Sequence, residues 1–261
     1  GKIKDEYTLK NNALEKRTGE HTVTVGEQAA NAFKPKATFE HESGAAVSIE
    51  YAGAQSSNSQ QVRFEDEKIV WGHTKEKVRF YELPASNELP EGGYEIDVVF
   101  DEQPASNEVV FELDAEGVDF FYQPPLTDEP REAEIESCTD TQCVDANGAV
   151  VLERPEHVVG SYAVYYEDNK SGDYSAVGGE NFRTGKAFHI YRPKISDAAG
   201  NTTWGTLSID EEAGTLSVTV PQAFLDTATY PVIVDPTFGY GSVGASSGST
   251  ANAAGSKFTM P

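Results

Sequence analysis

Two histidines are the residues best suited to general acid–base chemistry. His157 and His189 carry imidazoles that titrate near neutral pH, which makes histidine the usual general base. His189 lies between Phe188 and Ile190, and strand alternation would point it to the face opposite these two apolar neighbours. No convincing nucleophile, phosphate-binding loop or metal-binding motif accompanies either histidine. We therefore expect structural roles for both and assign no catalytic residue.

Acidic residues outnumber basic residues by more than two to one in this chain. There are 43 Asp and Glu residues against 20 Lys and Arg, and the net charge is −23. Nucleic acids and anionic lipids bind through clustered Lys and Arg, so we expect neither as a partner. A catalytic carboxylate pair cannot be assigned from spacing alone, which leaves a glycan-degrading enzyme as an alternative. No run of 18 apolar residues is present, so we expect no membrane insertion.

Two acidic turns could hold calcium. Asp145 and Asn147 precede a glycine, and Asp168 and Asp173 flank a similar polar turn. Both segments place oxygen ligands around a tight bend, as calcium requires, but neither completes the twelve-residue EF-hand pattern. We favour solvated turns without a cofactor. Calcium at Asp145, Asn147, Asp168 and Asp173 remains the alternative.

The two cysteines indicate a compartment. Cys138 and Cys143 are separated by four polar residues, a spacing that can close a small disulfide loop. Free thiols and half of a metal site are the alternatives, although no histidine lies near enough in sequence for a usual zinc site. An even cysteine count favours a disulfide and an oxidising environment. This predicts an extracellular location.

Aromatic residues are the remaining candidates for ligand contact. Most should lie in the core, since burial of aromatic rings stabilises a sheet protein strongly. Exposed Tyr and Trp rings could instead contact a glycan, because each has an apolar face and a polar tip. We single out Tyr165, Tyr166 and Trp204. Consecutive strand residues point to opposite faces, so one ring of the tyrosine pair can be exposed.

Alternation of apolar and polar residues predicts the elements that must position these groups. Turn signals such as Asn147-Gly148 separate the alternating runs. A single short helix is expected over residues 221–228, where Pro221 suits a helix start. The pattern predicts an all-β fold, either an antiparallel β-sandwich or an extended double sandwich. The predicted strands fall within residues 23–25, 46–51, 77–81, 94–100, 109–113, 162–166, 187–191, 206–209 and 215–220.

Composition along the chain suggests three parts. Residues 1–30 are expected to form an N-terminal arm, and residues 31–236 the sandwich body. A Pro-bearing acidic loop at residues 123–136 is a candidate subdomain break. Residues 237–261, rich in Gly, Ser and Ala, are expected to lead as a linker into a further module that is truncated here.

The order of motifs resembles a family of bacterial proteins. Gly92-Gly93-Tyr94-Glu95-Ile96-Asp97-Val98-Val99-Phe100, the segment from Ile190 to Gly200, and the closing Tyr230-Pro231-Val232-Ile233-Val234-Asp235-Pro236-Thr237 resemble the β-rich module that precedes repeats in Rhs/YD-type and DNRLRE-type secreted surface proteins. A second likeness, at Pro155–Tyr165 and Gly185–Pro193, is to proteins of environmental bacterial and phage genomes. The resemblance implies a structural or binding role and supplies no catalytic residues.

These observations favour a non-enzymatic structural or adhesion module of a secreted, cell-surface or phage-particle protein. Its expected partners are other modules of the same chain or neighbouring surface or virion proteins. A carbohydrate-binding module that uses exposed aromatic residues, with calcium as an aid, is the first alternative. A glycan-degrading enzyme is the second.

Overall fold

A computed structural model describes residues 7–18, 21–53, 62–73, 75–129, 134–167 and 186–240. The chain forms two compact units. The first unit comprises Gly1–Leu83, Tyr94–Gly117 and Pro193–Thr237, and the second comprises Pro84–Gly93, Val118–Arg192 and Phe238–Pro261.

The first sheet of the first unit has eight strands. All of its neighbours pair antiparallel, and its inward positions are apolar, as the alternation of residues 46–51 and 109–113 predicts. In spatial order the strands are β1 (Thr8–Lys10), β2 (Ala13–Thr18), β3 (His21–Gly26), β4 (Lys36–His41), β5 (Ala46–Tyr51), β10 (Glu108–Glu116), β20 (Thr215–Thr219) and β19 (Thr206–Asp210).

A second sheet completes the sandwich of the first unit. Phe39 of the first sheet packs edge-on against Tyr94 of the second, with ring centroids 5.5 Å apart. Phe80 and Ile195 of the second sheet are fully buried. Its strands in the first unit are β6 (Arg63–Glu65), β7 (Lys68–His73), β8 (Glu76–Leu83), β9 (Gly93–Phe100), β21 (Val232–Asp235), β17 (Lys194–Asp197) and β18 (Thr202–Trp204), where β9 is bonded to β8 and β21.

The second unit is built from shorter antiparallel strands. One group consists of β11 (Val118–Tyr122), β15 (Tyr162–Tyr166), β16 (Lys186–Ile190) and β22 (Thr237–Tyr240). A separate three-stranded sheet contains β12 (Ser137–Cys138), β13 (Gln142–Val144) and β14 (Val150–Glu153). The disulfide between Cys138 and Cys143 joins β12 to β13. Beside this sheet, the buried Arg154 donates hydrogen bonds to the Pro124 carbonyl and to Glu129.

Helical structure is sparse among the described residues. The helix α1 (Gln222–Thr227) follows Pro221 and buries Leu225, in agreement with the predicted helix at 221–228. A 3₁₀ turn covers Leu126–Asp128. No helix in the described part of the chain has the length and hydropathy needed to cross a bilayer. The all-β sandwich and the disulfide are both confirmed.

Two predicted boundaries need correction. The expected N-terminal arm at residues 1–30 contains β1, β2 and β3, because Ala13, Leu14, Val23 and Val25 bury their side chains in the first sheet. The expected linker at 237–261 begins with a strand, β22, while residues 241–261 lie outside the described part.

The position of the predicted subdomain break also differs. The sequence predicts it at the acidic loop of residues 123–136. The chain instead passes between the two units at residues 83/84, 93/94, 117/118, 192/193 and 237/238. One of these passages lies between β10 and β11, ahead of the Pro-bearing loop.

Candidate functional site

Three carboxylates come together on the second sheet of the first unit. Glu95 and Asp97 are two residues apart on β9, so they share the face opposite to that of Tyr94 and Ile96. Val234 pairs with Val98 in the antiparallel register, which brings Asp235 level with Asp97. One carboxylate oxygen from each of the three acids lies within 4.8 Å of the others. We call these three residues the carboxylate cluster.

The local sequence explains why strand β21 ends at Asp235. The β-branched run Val232-Ile233-Val234 favours a strand. Pro236 cannot donate a backbone hydrogen bond, so β21 ends at Asp235 and β22 starts at Thr237. The Thr237 hydroxyl lies 3.0 Å from Glu95 Oε1 and 3.4 Å from Asp235 Oδ1, and its single proton can serve only one of them at a time.

Strand β8 supplies the direct partners of Asp97. The Arg79 guanidinium and the Tyr81 hydroxyl both donate to Asp97 Oδ2, the tyrosine at 3.1 Å. Lys68 of β7 lies opposite Tyr81 in register, and its Nζ sits 3.7 Å from the centre of the Tyr81 ring. Asp97 Oδ1 is buried and has no hydrogen-bond partner among the described residues. Only one of the two Asp97 oxygens is therefore compensated.

Burial shifts the acid–base equilibria of the cluster. Glu95 is 3% exposed and Asp97 is 0% exposed. Loss of hydration raises the pKa of Asp97, and the adjacent Arg79 opposes that rise only in part. Burial likewise raises the pKa of Asp235 to about 6, against the opposing effects of Thr237, Arg79 and Lys68. The pKa of Lys68 is lowered, first by burial and then by the charge of Arg79.

A polar cleft of about 300 Å³ has Tyr81, one of the two hydrogen-bond partners of Asp97, in its lining. Its turn residues Asp66 and Glu67 have φ values of 46° and 64°, the left-handed region that few residues other than glycine adopt. Glu82 at the same cleft pairs with Lys16 at 2.5 Å. The full lining is Tyr7, Asp66, Glu67, Lys68, Phe80, Tyr81 and Glu82.

Asp197 has a different environment within the same sheet. Its Oδ1 accepts the backbone N–H groups of Ala199 and Asn201, and its Oδ2 accepts from the Asn201 side chain and the Thr229 backbone. These bonds, led by those from the Asn201 side chain and the Thr229 N–H, lower the pKa of Asp197. They tie the β17–β18 turn to the segment that follows α1. We call this arrangement the Asp197 joint.

The predicted calcium turns are only partly described. Asp145 Oδ1 accepts the backbone N–H groups of Asn147 at 2.8 Å and Ala149 at 2.9 Å. These hydrogen bonds, chiefly that from Ala149, lower the pKa of Asp145. Asp145 and Asn147 thus share one turn, in which the aspartate oxygen is already used by the backbone. Asp168 and Asp173 lie outside the described residues.

The two histidines meet around one tyrosine of the second unit. The rings of His157 and His189 lie 5.1 Å and 4.5 Å from that of Tyr191. His189 Nε2 is 2.5 Å from the hydroxyl of Ser161, which itself donates to the Val158 carbonyl. Both Ser161 and His189 are buried. This serine and histidine pair is therefore enclosed in the core, with its hydroxyl proton held by the backbone.

The three singled-out aromatic residues lie in different surroundings. Tyr165 is buried and packs edge-on against Phe121, with centroids 5.6 Å apart. Tyr166 is half-buried on the opposite face of β15, as alternation requires. Trp204, also half-buried, is on β18 of the first unit, where Lys194 Nζ lies 5.8 Å from the ring centre. Trp204 thus belongs to the first unit, and Tyr165 and Tyr166 belong to the second.

Register places further aromatic residues beside Tyr166. Tyr122 pairs with Tyr162 across β11 and β15, with ring centroids 5.3 Å apart, and Val118 pairs with Tyr166. Phe120, Tyr122, Tyr162 and Tyr166 consequently share one face. Tyr122 is 47% exposed and the other three are half-buried. We call these four residues the aromatic strip.

Sequence reasoning missed the carboxylate cluster. Alternation on β9 predicts Glu95 and Asp97 on a polar outer face, yet all eight residues of β9 are buried. The available signal was the pair of acids two apart within an apolar run, together with the aspartate that ends Val232–Asp235. Comparisons with protein-family models, curated proteins and solved structures found no match. The carboxylate cluster is therefore identified from the distances and burial of its three residues alone.

Proposed function

We infer that the protein is a non-enzymatic structural or adhesion module of a secreted, cell-surface or phage-particle protein. The Asp197 joint is the observation that carries this proposal. Asp197 belongs to the motif that gives the sequence its resemblance to modules of bacterial surface proteins, and its carboxylate is occupied by four hydrogen bonds within the fold. A carboxylate whose oxygens are occupied in holding a turn has a structural role rather than a catalytic one.

The disulfide supports an extracellular location for this module. Cys138 and Cys143 close a loop at one edge of the three-stranded sheet, and structural disulfides persist in oxidising compartments. The acidic composition agrees with partners other than nucleic acid. Further modules of the same chain, or neighbouring surface or virion proteins, are the partners that suit such a domain.

The surroundings of the acidic side chains also favour a non-enzymatic role. Glu95 and Asp97 are almost fully enclosed, whereas a glycoside-cleaving pair must reach both sides of a sugar bond. The Ser161 and His189 pair is equally enclosed. A substrate would need an opening beside one of these groups.

A second candidate, carbohydrate binding, is favoured by the aromatic strip. Half-exposed rings on one sheet face offer sugars an apolar surface, and tyrosine adds a hydroxyl for hydrogen bonding. Tyr166 belongs to the strip, and the exposed Tyr122 would be its strongest contact. Tyr165 faces the other side and packs in the core.

A glycan array and a hydrolysis assay separate these functions. The purified chain would be applied to the array in calcium and in EDTA, and incubated with the same glycans while reducing ends are measured. The module proposal expects neither saturable binding nor product release. Release of reducing ends that is lost in Asp97→Asn would instead establish an enzyme.

Variants of the aromatic strip test the second candidate. Saturable glycan binding lost in both Tyr122→Ala and Tyr166→Ala, without a change in melting temperature, would establish carbohydrate binding in place of the first proposal. Phe64→Ala is the matched control, because Phe64 is an aromatic side chain 39% exposed on β6 of the first unit. Its binding should equal that of the unmodified chain.

A further inference from the structure

The carboxylate cluster concentrates negative charge where water cannot stabilise it. Glu95, Asp97 and Asp235 each contribute an oxygen within 4.8 Å of the others, and two of the three residues are almost fully buried. Like charges at this separation repel strongly unless a cation or a proton lies among them. The fold therefore needs a compensating positive group at this position.

The protein's own cations compensate the cluster incompletely. Arg79 contacts Asp97 directly, and Lys68 contributes at longer range from its position over the Tyr81 ring. Lys194 is the neighbour of Asp235 in the β17–β21 register, but its Nζ lies over the Trp204 ring. Three carboxylates thus face two basic groups, so ionisation of all three acids would leave an excess of one negative charge.

One oxygen of the cluster also lacks a hydrogen bond. Asp97 is 0% exposed, and its Oδ1 has no partner among the described residues, although Oδ2 accepts from both Arg79 and Tyr81. A buried carboxylate oxygen without a donor is costly, and such atoms in native proteins commonly mark an ion or a water. This observation is independent of the clustering of the acids and points to a ligand.

We propose that Glu95, Asp97 and Asp235 bind one calcium ion. Two oxygens that each lie about 2.4 Å from a calcium ion can be at most about 4.8 Å apart, and the cluster meets this limit. The donors are all oxygens, which hard cations prefer, and the Thr237 hydroxyl adjoins two of them. The ion would neutralise the excess charge and supply the partner that Asp97 Oδ1 lacks. This site is separate from the Asp145 turn and does not depend on the proposed function.

Calorimetric titration of the EDTA-treated full chain with calcium chloride tests the proposal, with magnesium chloride in a parallel titration. We expect one calcium per chain and weaker magnesium binding, because magnesium demands a smaller and more regular shell. Asp235→Asn, which keeps the shape of the side chain, should weaken calcium affinity by about tenfold or more. Absence of saturable calcium binding, tighter binding of magnesium, or unchanged affinity in Asp235→Asn would overturn it.

Two matched controls locate the ion. Asp101→Asn changes an acid just beyond β9 that pairs with Lys77 at 3.0 Å, and Asp145→Asn removes the charge of the predicted turn site. Both variants should bind calcium as the unmodified chain does. Loss of binding in Asp145→Asn with retention in Asp235→Asn would assign the ion to the turn and refute the cluster site.

Terbium luminescence provides a test on the unmodified chain, which matters should Asp235→Asn fail to fold. The Tyr81 hydroxyl is 3.1 Å from Asp97 Oδ2, close enough to transfer excitation to a terbium ion in the cluster. Tyrosine-excited emission should appear, disappear on addition of calcium, and fall in Tyr81→Phe. Emission that calcium does not displace, or that Tyr81→Phe leaves unchanged, would contradict the site.

Discussion

The Asp197 joint and the carboxylate cluster occupy the same sheet, yet their carboxylates differ in how many hydrogen-bond donors stabilise the negative charge. Asp197 receives four hydrogen bonds, three from backbone N–H groups, and its pKa is lowered. Asp97 is buried and Asp235 is half-buried, both accept from fewer donors, and their pKa values are raised. The comparison teaches that burial alone does not decide the role of an aspartate. Backbone donors make it a structural joint, whereas a deficit of donors leaves charge available for a cation.

Replacement of Arg79 should produce the largest effect. Arg79→Met removes the ion-pair partner of the buried Asp97 carboxylate. In EDTA we expect the free energy of unfolding to fall by about 3 kcal/mol, as for other broken buried pairs. Urea denaturation measures this change.

Calcium and a charge-conserving variant control for simple loss of packing. Added calcium should restore part of the stability of Arg79→Met, because the ion supplies positive charge to the same cluster. Arg79→Lys should lose less than Arg79→Met. A loss that is equal in both variants and insensitive to calcium would show that Arg79 acts through the hydrogen-bond geometry of its guanidinium rather than through its charge.

Removal of the Asp197 carboxylate should cause the next largest loss. Asp197→Ala leaves the backbone donors of Ala199, Asn201 and Thr229 without their acceptor. We expect the Tm to fall by about 5 °C, with the same drop in calcium and in EDTA. Asp197→Asn, which keeps one acceptor oxygen, should lose less. If calcium restored the Tm of Asp197→Ala, the Asp197 joint would depend on calcium in the same way as the carboxylate cluster, and the contrast between them would fail.

The disulfide offers a perturbation in the other unit. Cys138 and Cys143 are five positions apart in sequence, and closure of so short a loop contributes about 2 kcal/mol in the chain-entropy model. The double variant Cys138→Ala, Cys143→Ala should lose stability by about this amount in urea denaturation. Its calcium affinity should be unchanged, since the cluster lies in the first unit. Altered affinity would refute that independence.

The smallest expected effect is a pH dependence from His157. Burial lowers the pKa of His157 below its ordinary 6.5, and Glu88 opposes the shift. The unfolded chain therefore binds this proton more readily than the folded chain, and stability is lost as the pH falls through 6.5. Thermal unfolding of His157→Gln should show a shallower decline over this range than the unmodified chain. If the Tm of both proteins declined identically with pH, the pH dependence could not be attributed to His157.

Much of the fold could be predicted because its signals are local. Period-two alternation identified β5 and β10, Pro221 marked the start of α1, and the short cysteine spacing indicated the disulfide. The strands within residues 8–18 were missed because exposed charged residues there obscure the two buried positions, Ala13 and Leu14. An edge region of a sheet carries a weaker apolar pattern than a central strand.

The carboxylate cluster could not be predicted because it depends on pairing across a long stretch of chain. Glu95 and Asp235 are brought together by the register of β9 and β21, which no local pattern specifies. Alternation correctly predicted that Asp97 and Val98 point to opposite faces of β9. It could not show that both of these faces are buried. Burial of the polar face is a tertiary property, and it raises the pKa values of Asp97 and Asp235.

Differential scanning calorimetry of Asp197→Asn and Asp235→Asn, each in EDTA and in saturating calcium, tests the contrast most directly. A ligand at about 100 times its Kd stabilises by about 2.7 kcal/mol, enough to raise the Tm of the unmodified chain measurably. We predict that Asp197→Asn has a lowered Tm in EDTA but shows the same rise in Tm on addition of calcium as the unmodified chain. Asp235→Asn, which loses one of three repelling charges, should have a Tm in EDTA no lower than that of the unmodified chain and should show no rise in Tm with calcium. The account would be contradicted if calcium raised the Tm of Asp235→Asn as much as that of the unmodified chain, or if calcium failed to raise the Tm of Asp197→Asn.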